Sequence, residues 1–506
     1  MENKNKIAIY LFILRILRTF LNILILSLSA IFFGISIERD IWIIASTFIL
    51  TINLAIWGPI NETFRTKFIF LRELDGENKT LQKTGSLLVF ITIITLLISV
   101  IIITYCDYIT RLVVPSYQEK NIYLFTKILI LLTPSFLITE LTNIFSGLLN
   151  AYNHFYIPEL LGLISGIVNF ICIAILANKF GIYSLVIAQY ISLFILLIFI
   201  SKYLSKVNIT TTKLFNHTFR WKDIRPFIIF SMPFFFPYFI GQYNAILEKS
   251  ISNNIGDGVV SMIDYSKKFT DTLQAVLTSV LASVMVPNLA TLFSKKNITE
   301  FQESLNEYLK IIFIILSITT PILITSSLPL NKILFLHGEM TIQTVKEMAI
   351  LTRYYTLSFI VIALYLFFGL ALLSQNQGKK YAIWGVIAQI IIILINISQY
   401  KTLGKYTFAI SLFISHSIAS LFMFISLQLE NKKHLLYILS KYIILITTLT
   451  ITVSIGNIYT SSLNPIIQLV INIFILTISL MVFGNFANIS ILHYCNKIYK
   501  KIFQHE

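Results

Sequence analysis

Charge is scarce in this chain: Asp, Glu, Lys and Arg make up 12% of its 506 residues, where soluble domains carry about 25%. Apolar side chains take the place of the missing charge, at 56% of residues with a mean hydropathy of +0.81. A chain this poor in polar groups reads as a multi-span membrane protein with no soluble domain. Cysteine is scarce as well. Cys106, Cys172 and Cys495 are scattered with no CxxC spacing, so neither a disulfide framework nor a metal site is indicated. Acidic residues are outnumbered, 23 against 39 basic ones, for a net charge of +16. In a soluble protein that excess would point to nucleic acid. Here the basic residues gather between apolar runs, where they set topology, and no nucleic acid is implied.

Catalytic motifs are absent too. There is no GxxxxGKS/T phosphate loop, no HExxH and no GxSxG. The loops are too short for the polar, carboxylate-bearing floor expected of a membrane-embedded transferase. The class that remains is transport, not catalysis, with no cofactor. Its energy would come from an ion gradient, the membrane potential or the substrate gradient.

What is present is a series of apolar stretches long enough to cross about 30 Å of hydrocarbon. About fourteen are expected, near 10–36, 41–60, 85–105, 122–149, 157–177, 181–201, 226–247, 262–293, 311–331, 346–373, 381–399, 406–428, 442–460 and 465–490. The eighth contains Asp264, Lys267, Lys268 and Asp271, and a hydropathy window would discount it. The first is too long for a signal peptide and has no small-residue cleavage site behind it, so it is expected to stay in the mature chain. Most Lys and Arg fall on the cytoplasmic side when both termini are placed inside.

A block of about 60 residues from Thr133 to Ser192 returns without a gap from Thr356 to Ser415. Ser135/Ser358, Asn153/Asn376, Gly162/Gly385, Gly181/Gly404, Tyr183/Tyr406 and Ser192/Ser415 all match in register. A repeat holding several spans in the same orientation implies two pseudo-symmetric lobes related by an axis along the membrane normal, with the substrate path between them. The expected organisation is an all-α N-terminal lobe at 1–205, a cytoplasmic basic linker at 206–225, a C-terminal lobe at 226–430, and two further spans with a cytoplasmic tail at 431–506.

Ionisable groups at membrane depth are costly and usually face a cavity or one another. In the first lobe these are Arg15, Arg18, Asp40 and Glu140, with Arg65 in the basic segment after span two. In the second they are Glu248, Lys249, Asp264, Lys267, Lys268, Asp271 and Arg353. Arg15 and Arg18 either snorkel to the interface or reach a cavity. Lys267 and Lys268 either pair with Asp264 and Asp271 at helical spacing or bind substrate. Glu140, mid-span beside Thr139 and Thr142, is a cavity carboxylate or a structural hydrogen-bond acceptor.

The stretch Glu248-Lys249, Gly258-Val259-Val260-Ser261, Tyr265-Ser266-Lys267-Lys268-Phe269 and Val286-Pro287-Asn288-Leu289 resembles the span seven to eight pattern of the MurJ/MviN lipid flippases. These belong to the multidrug/oligosaccharidyl-lipid/polysaccharide exporter superfamily. Gly34 to Asp40-Ile41, Gly147 to Phe155 with Pro158, and Leu336-His337-Gly338-Glu339-Met340 are similar to further family segments. Two family positions depart: its span-one Arg-Asp pair falls on residues 21–25, which carry no charge, and its arginine pair after span two on residues 50–59, where no arginine stands. Lys268 stands at a matching basic position.

The resemblance implies a monomeric alternating-access flippase of the bacterial cytoplasmic membrane. Its substrate would be an undecaprenyl-diphosphate-linked saccharide, lipid II or a related lipid-linked glycan, and its partners membrane lipid and cell-envelope synthesis enzymes. Arg18, Lys267, Lys268 and Arg65 are then the expected substrate-binding residues, and Asp40, Glu140, Glu248 and Arg353 the gating or coupling residues. Coupling would be to the membrane potential or a monovalent ion. Two other readings stay open at this point: an ion-coupled multidrug exporter of the same superfamily, which would favour a carboxylate-dominated cavity, and a non-transporting envelope-assembly scaffold.

Overall fold

The computed structural model describes residues 2–207, 209, 214, 219–281 and 285–484, and among these every regular element is a helix. The end of the expected last span from 485 onward, the tail after it with Cys495, and Lys213 of the basic linker lie outside the described residues. The chain falls into two compact units, 1–261 and 262–506.

The first unit is built around α2 (Ile37–Asp75), against which α3 (Glu77–Thr104), α5 (Glu119–Leu132), α6 (Ser135–Ala151) and α9 (Trp221–Ile255) all pack. The other helices are α1 (Glu2–Phe33), the short α4 (Cys106–Val113), α7 (Tyr156–Phe180) and α8 (Tyr183–Lys206). Span two runs well beyond its expected end at 60. Phe64, Phe68 and Leu71 continue the buried stripe at i, i+4 and i+7, and nothing breaks the helix until Gly76, at φ +83°, returns its N–H to the Arg72 carbonyl. Arg65, Lys67 and Arg72 therefore ride on a helical extension. Span seven, here α9, is fastened to α2 by Phe227 stacked on Phe64 at 5.7 Å and by Ser231 hydrogen-bonded to Thr63 at 2.7 Å.

The second unit takes in most of α10 (Val259–Val280), then α11 (Val286–Ser294), α12 (Ile298–Thr325), α13 (Ser327–Phe335) and α14 (Ile342–Ser374). After these come α15 (Gly378–Leu403), a 3-10 turn at Gly404–Tyr406, α16 (Thr407–Ser426), α17 (Lys432–Thr460) and α18 (Pro465–Phe483). Twelve stretches of the described residues are long and apolar enough to cross a membrane. One of them, Gly378–Ser426, is α15 and α16 joined at the 3-10 turn. With α10, whose charges keep it off that tally, the helices make up the expected set of about fourteen spans.

The repeat shows in the backbone itself. At the end of α6 the N–H of His154 reaches the Leu149 carbonyl at 2.9 Å, and at the end of α14 the N–H of Gln377 reaches the Leu372 carbonyl at 2.9 Å. The residue between, Asn153 or Asn376, is left-handed in both copies, at φ +66° and +57°. This is one Schellman-type helix end written twice. Gly181 and Gly404 close α7 and α15 with the same dihedrals, φ +53° with ψ −139° and −137°. The copies part at one point. Pro134 has no N–H to give and splits span four into α5 and α6, whereas its counterpart Leu357 lies inside an unbroken α14.

Asparagine tolerates the left-handed region and a β-branched side chain does not. Asn153→Val and Asn376→Val should each lower stability by about 1–2 kcal/mol, and Asn→Gly should be close to neutral at both sites. Thermal unfolding of the purified protein in detergent checks this.

Candidate functional site

Asp40 lies in the first turn of α2, fully buried, and its carboxylate turns away from its own helix to cap another. Its Oδ2 accepts the Gly258 N–H at 2.7 Å, and its Oδ1 accepts the Ser261 N–H at 2.7 Å and the Ser261 hydroxyl at 2.5 Å. The first N–H groups of a helix have no partner within it and carry the positive end of its dipole. A buried carboxylate there satisfies three donors at once, with its charge against the favourable pole. Nearby, burial together with the charges of Asp40 and Asp257 pushes the Tyr117 phenol well above its ordinary range, as expected of a corner closed to water.

Only glycine fits at position 258. Its φ is +78°, and a Cβ there would stand 2.1 Å from Ile35 Cγ2. Gly258→Ala should cost about 2 kcal/mol or more, through strain and through a shift of the loop that withdraws the N–H from Asp40. Unfolding of the variant in detergent measures the loss.

Arg15 and Arg18 of α1 share one carboxylate, Glu159 in the first turn of α7. Arg15 Nε lies 3.0 Å from Oε1 and Arg18 Nη1 lies 3.4 Å from Oε2. The Arg18 guanidinium passes over Gly162, where a Cβ would come within 3.1 Å of it. Both arginine side chains remain half exposed. Glu159 escaped the sequence reading because a lone acid in a first helical turn ordinarily signals only a helix start. Arg65 lies elsewhere, exposed, with its guanidinium 4.6 Å over the Phe155 ring. Glu248 in α9 is buried beside its chain neighbour, with Lys249 Nζ 3.7 Å from its Oε1.

Glu140 lies in α6 at 0% exposure. Its Oε2 accepts from Asn61 Nδ2 at 3.1 Å and from Asn143 Nδ2 at 3.4 Å, while Oε1 has no partner. It makes no ion pair among the described residues. Beside it a cavity of about 50 Å³ is lined by Ser46, Asn53, Ser135, Thr139 and Gln189 among apolar neighbours. The sequence drew attention to Glu140 but not to Asn53 and Asn61, because isolated asparagines in an apolar span carry no spacing that names their partner.

In the second unit, Lys267 and Lys268 lie one after the other in α10, both partly buried. Among the described residues no ion pair joins Lys268 to Asp264 or Asp271. Arg353 in α14 donates from Nε to the Ser327 hydroxyl at 2.8 Å, and next to it Asn331 donates to Thr352 at 3.2 Å. These contacts fasten the start of α13 to α14.

Two duplicated helical units that bury several ionisable side chains within apolar helices have the build of a membrane transporter, and solved structures match that fold. A lipid II flippase MurJ in an inward closed conformation superimposes with a TM-score of 0.76 at 20% identity, covering 94% of this chain and 98% of that one. An inward-facing multidrug resistance MATE family transporter of the MOP superfamily gives 0.67 at 14% identity, covering 82% and 96%.

Within that class the model of the family described as lipid II flippase MurJ matches residues 29–480, and the chain belongs to this family. The lipid II flippase MurJ of Burkholderia cenocepacia is 21% identical over 300 residues, 58% of either chain. The probable lipid II flippase MurJ of Buchnera aphidicola subsp. Baizongia pistaciae is 23% identical over 288 residues, 55% of either. The chain thus spans somewhat more than half the length of the curated relatives it matches.

Proposed function

We propose that this protein is a flippase that carries an undecaprenyl-diphosphate-linked saccharide, lipid II or a close relative, across the bacterial cytoplasmic membrane by alternating access. The observation that carries the reading is the family match over residues 29–480, which takes in every station described above except Arg15 and Arg18. Chemistry supports it. A diphosphate leaving water needs cations, and guanidinium and ammonium groups supply charge-assisted hydrogen bonds to its oxygens. Lys268, with Lys267 beside it, is the leading contact; Arg18, half exposed, is the second, and Arg65 serves the cytoplasmic approach. Asp40, Glu248 and Arg353 act at the gates, each by holding a helix end or a charged neighbour in one of two states.

The protein works as a monomer with both termini cytoplasmic, receives its substrate from cell-envelope synthesis enzymes and needs no bound cofactor. Depleting it in cells should make lipid-linked saccharide accumulate on the inner leaflet, and mass spectrometry of the trapped lipid names the glycan. Normal export under complete depletion would sink the proposal.

A further inference from the structure

We infer that the short helix α13 is a brace that positions the Lys267–Lys268 segment, and that Asn472 of the last helix holds this brace in place. All the contacts lie within the second unit. A helix of nine residues does not fix its own position, so its neighbours must. At its start, Ser326 Oγ accepts from Asn472 Nδ2 at 2.9 Å and Ser327 Oγ accepts from Arg353 Nε at 2.8 Å. One turn on, Asn331 Nδ2 donates to Thr352 Oγ1 at 3.2 Å, and that hydroxyl lies 3.4 Å from the carbonyl of Ser266, the residue before Lys267. At its end, Phe335 packs on two rings of α10, 5.1 Å from Tyr265 and 6.3 Å from Phe269 between centroids. Those rings stand immediately before and after Ser266, Lys267 and Lys268. The segment that carries both lysines is therefore gripped at its two ends by the helix that Asn472 fastens.

Packing alone does not account for these side chains. Ser326, Ser327, Asn331, Thr352 and Asn472 are all at 0% exposure. Asn331 and Asn472 each leave Oδ1 without a partner, a cost that an apolar side chain of similar size does not carry. Stability by itself would favour such a side chain at both places. What a buried amide adds is a single permitted arrangement of its helix against the next. Asn472 is aimed from its far side as well: Asn457 Oδ1 accepts from Asn472 Nδ2 at 2.7 Å and from Gln468 Nε2 at 2.9 Å. The hairpin of α17 and α18 thus directs one amide at the break between α12 and α13.

A substrate that meets lysines already in place spends none of its affinity on arranging them. Loosening the brace should then cost affinity and spare turnover. That consequence rests on Lys268 as a substrate contact; the brace itself does not.

The test uses the full-length protein in nanodiscs, with a nitroxide on Lys268→Cys after Cys106, Cys172 and Cys495 are replaced by alanine. Asn472→Leu, close to isosteric, and Ser326→Ala remove the same hydrogen bond from its two ends. Each should make the label more mobile, and the double variant should be no more mobile than the looser single one. The unfolding midpoint of Asn472→Leu should hold or rise. Thr477→Val, which alters an exposed hydroxyl of α18 bonded to the Ile473 carbonyl of its own helix, should change nothing. With Lys268 retained, Asn472→Leu and Ser326→Ala should each raise KM for the lipid-linked substrate about five-fold with kcat nearly unchanged. Should Asn472→Leu not fold, Ser326→Ala, the smaller change, decides alone. A label unchanged in the folded variants, or loosened as much by Thr477→Val, would overturn the brace. A looser label with wild-type KM would uphold the brace and discard Lys268 as a substrate contact.

Discussion

Replacing Asp40 with alanine should cost about 3–5 kcal/mol, the range for removing one partner from a buried charged contact, and should leave little folded protein in the membrane. The reason is local. Two backbone N–H groups and one hydroxyl at the start of α10 lose their acceptor together, in a buried corner with little access for water. Asp40→Asn keeps one oxygen but turns an amide donor toward groups that are themselves donors, so it should fall between wild type and alanine. Unfolding in detergent and transport in reconstituted vesicles, measured on the same variants, separate anchor from gate. If stability and transport fall together, Asp40 is an anchor. If Asp40→Asn is as stable as wild type yet transports poorly, the carboxylate takes part in gating.

The sequence carried the span pattern and the duplication because both rest on periodic information. Apolar runs recur at membrane length, and Asn153/Asn376 and Gly181/Gly404 hold backbone conformations that few residues adopt, so the register survives where most side chains have diverged. The polar eighth span was legible for the opposite reason: its four charges break the hydropathy pattern but keep helical spacing.

Contacts between distant segments were not legible. Asp40 finds its donors 218 and 221 residues away, and Arg15 finds Glu159 across 144; no local spacing announces either pair. Resemblance did point to both ends of the first contact, Asp40 and the Gly258 to Ser261 segment, without saying that they meet. The break at Pro134 and the length of α2 were missed for a simpler reason. Hydropathy measures where a chain is apolar, and not whether a proline interrupts its hydrogen bonds or a helix continues into polar sequence.

Lys268→Ala should depress flipping at least ten-fold while leaving expression and unfolding unchanged. A charge-assisted contact to a diphosphate contributes on the order of 1.5–3 kcal/mol, which is a factor of roughly ten or more in affinity. Lys268→Arg, which keeps the charge and can grip a phosphate with two donors, should retain much of the activity. Arg18→Ala should have the smaller effect of the two, because Arg15 and Glu159 remain and α1 loses only part of its positive charge. The rival reading is that Lys268 merely neutralises an acid of its own helix. Asp264 and Asp271 stand four residues before it and three after it, within reach of a helical pair, although neither is bonded to it among the described residues. Double variants decide between the two. If Asp264→Ala or Asp271→Ala restores flipping to Lys268→Ala, the lysine is structural and the diphosphate contact fails. If the double variants flip no better than Lys268→Ala alone, the missing partner is the substrate.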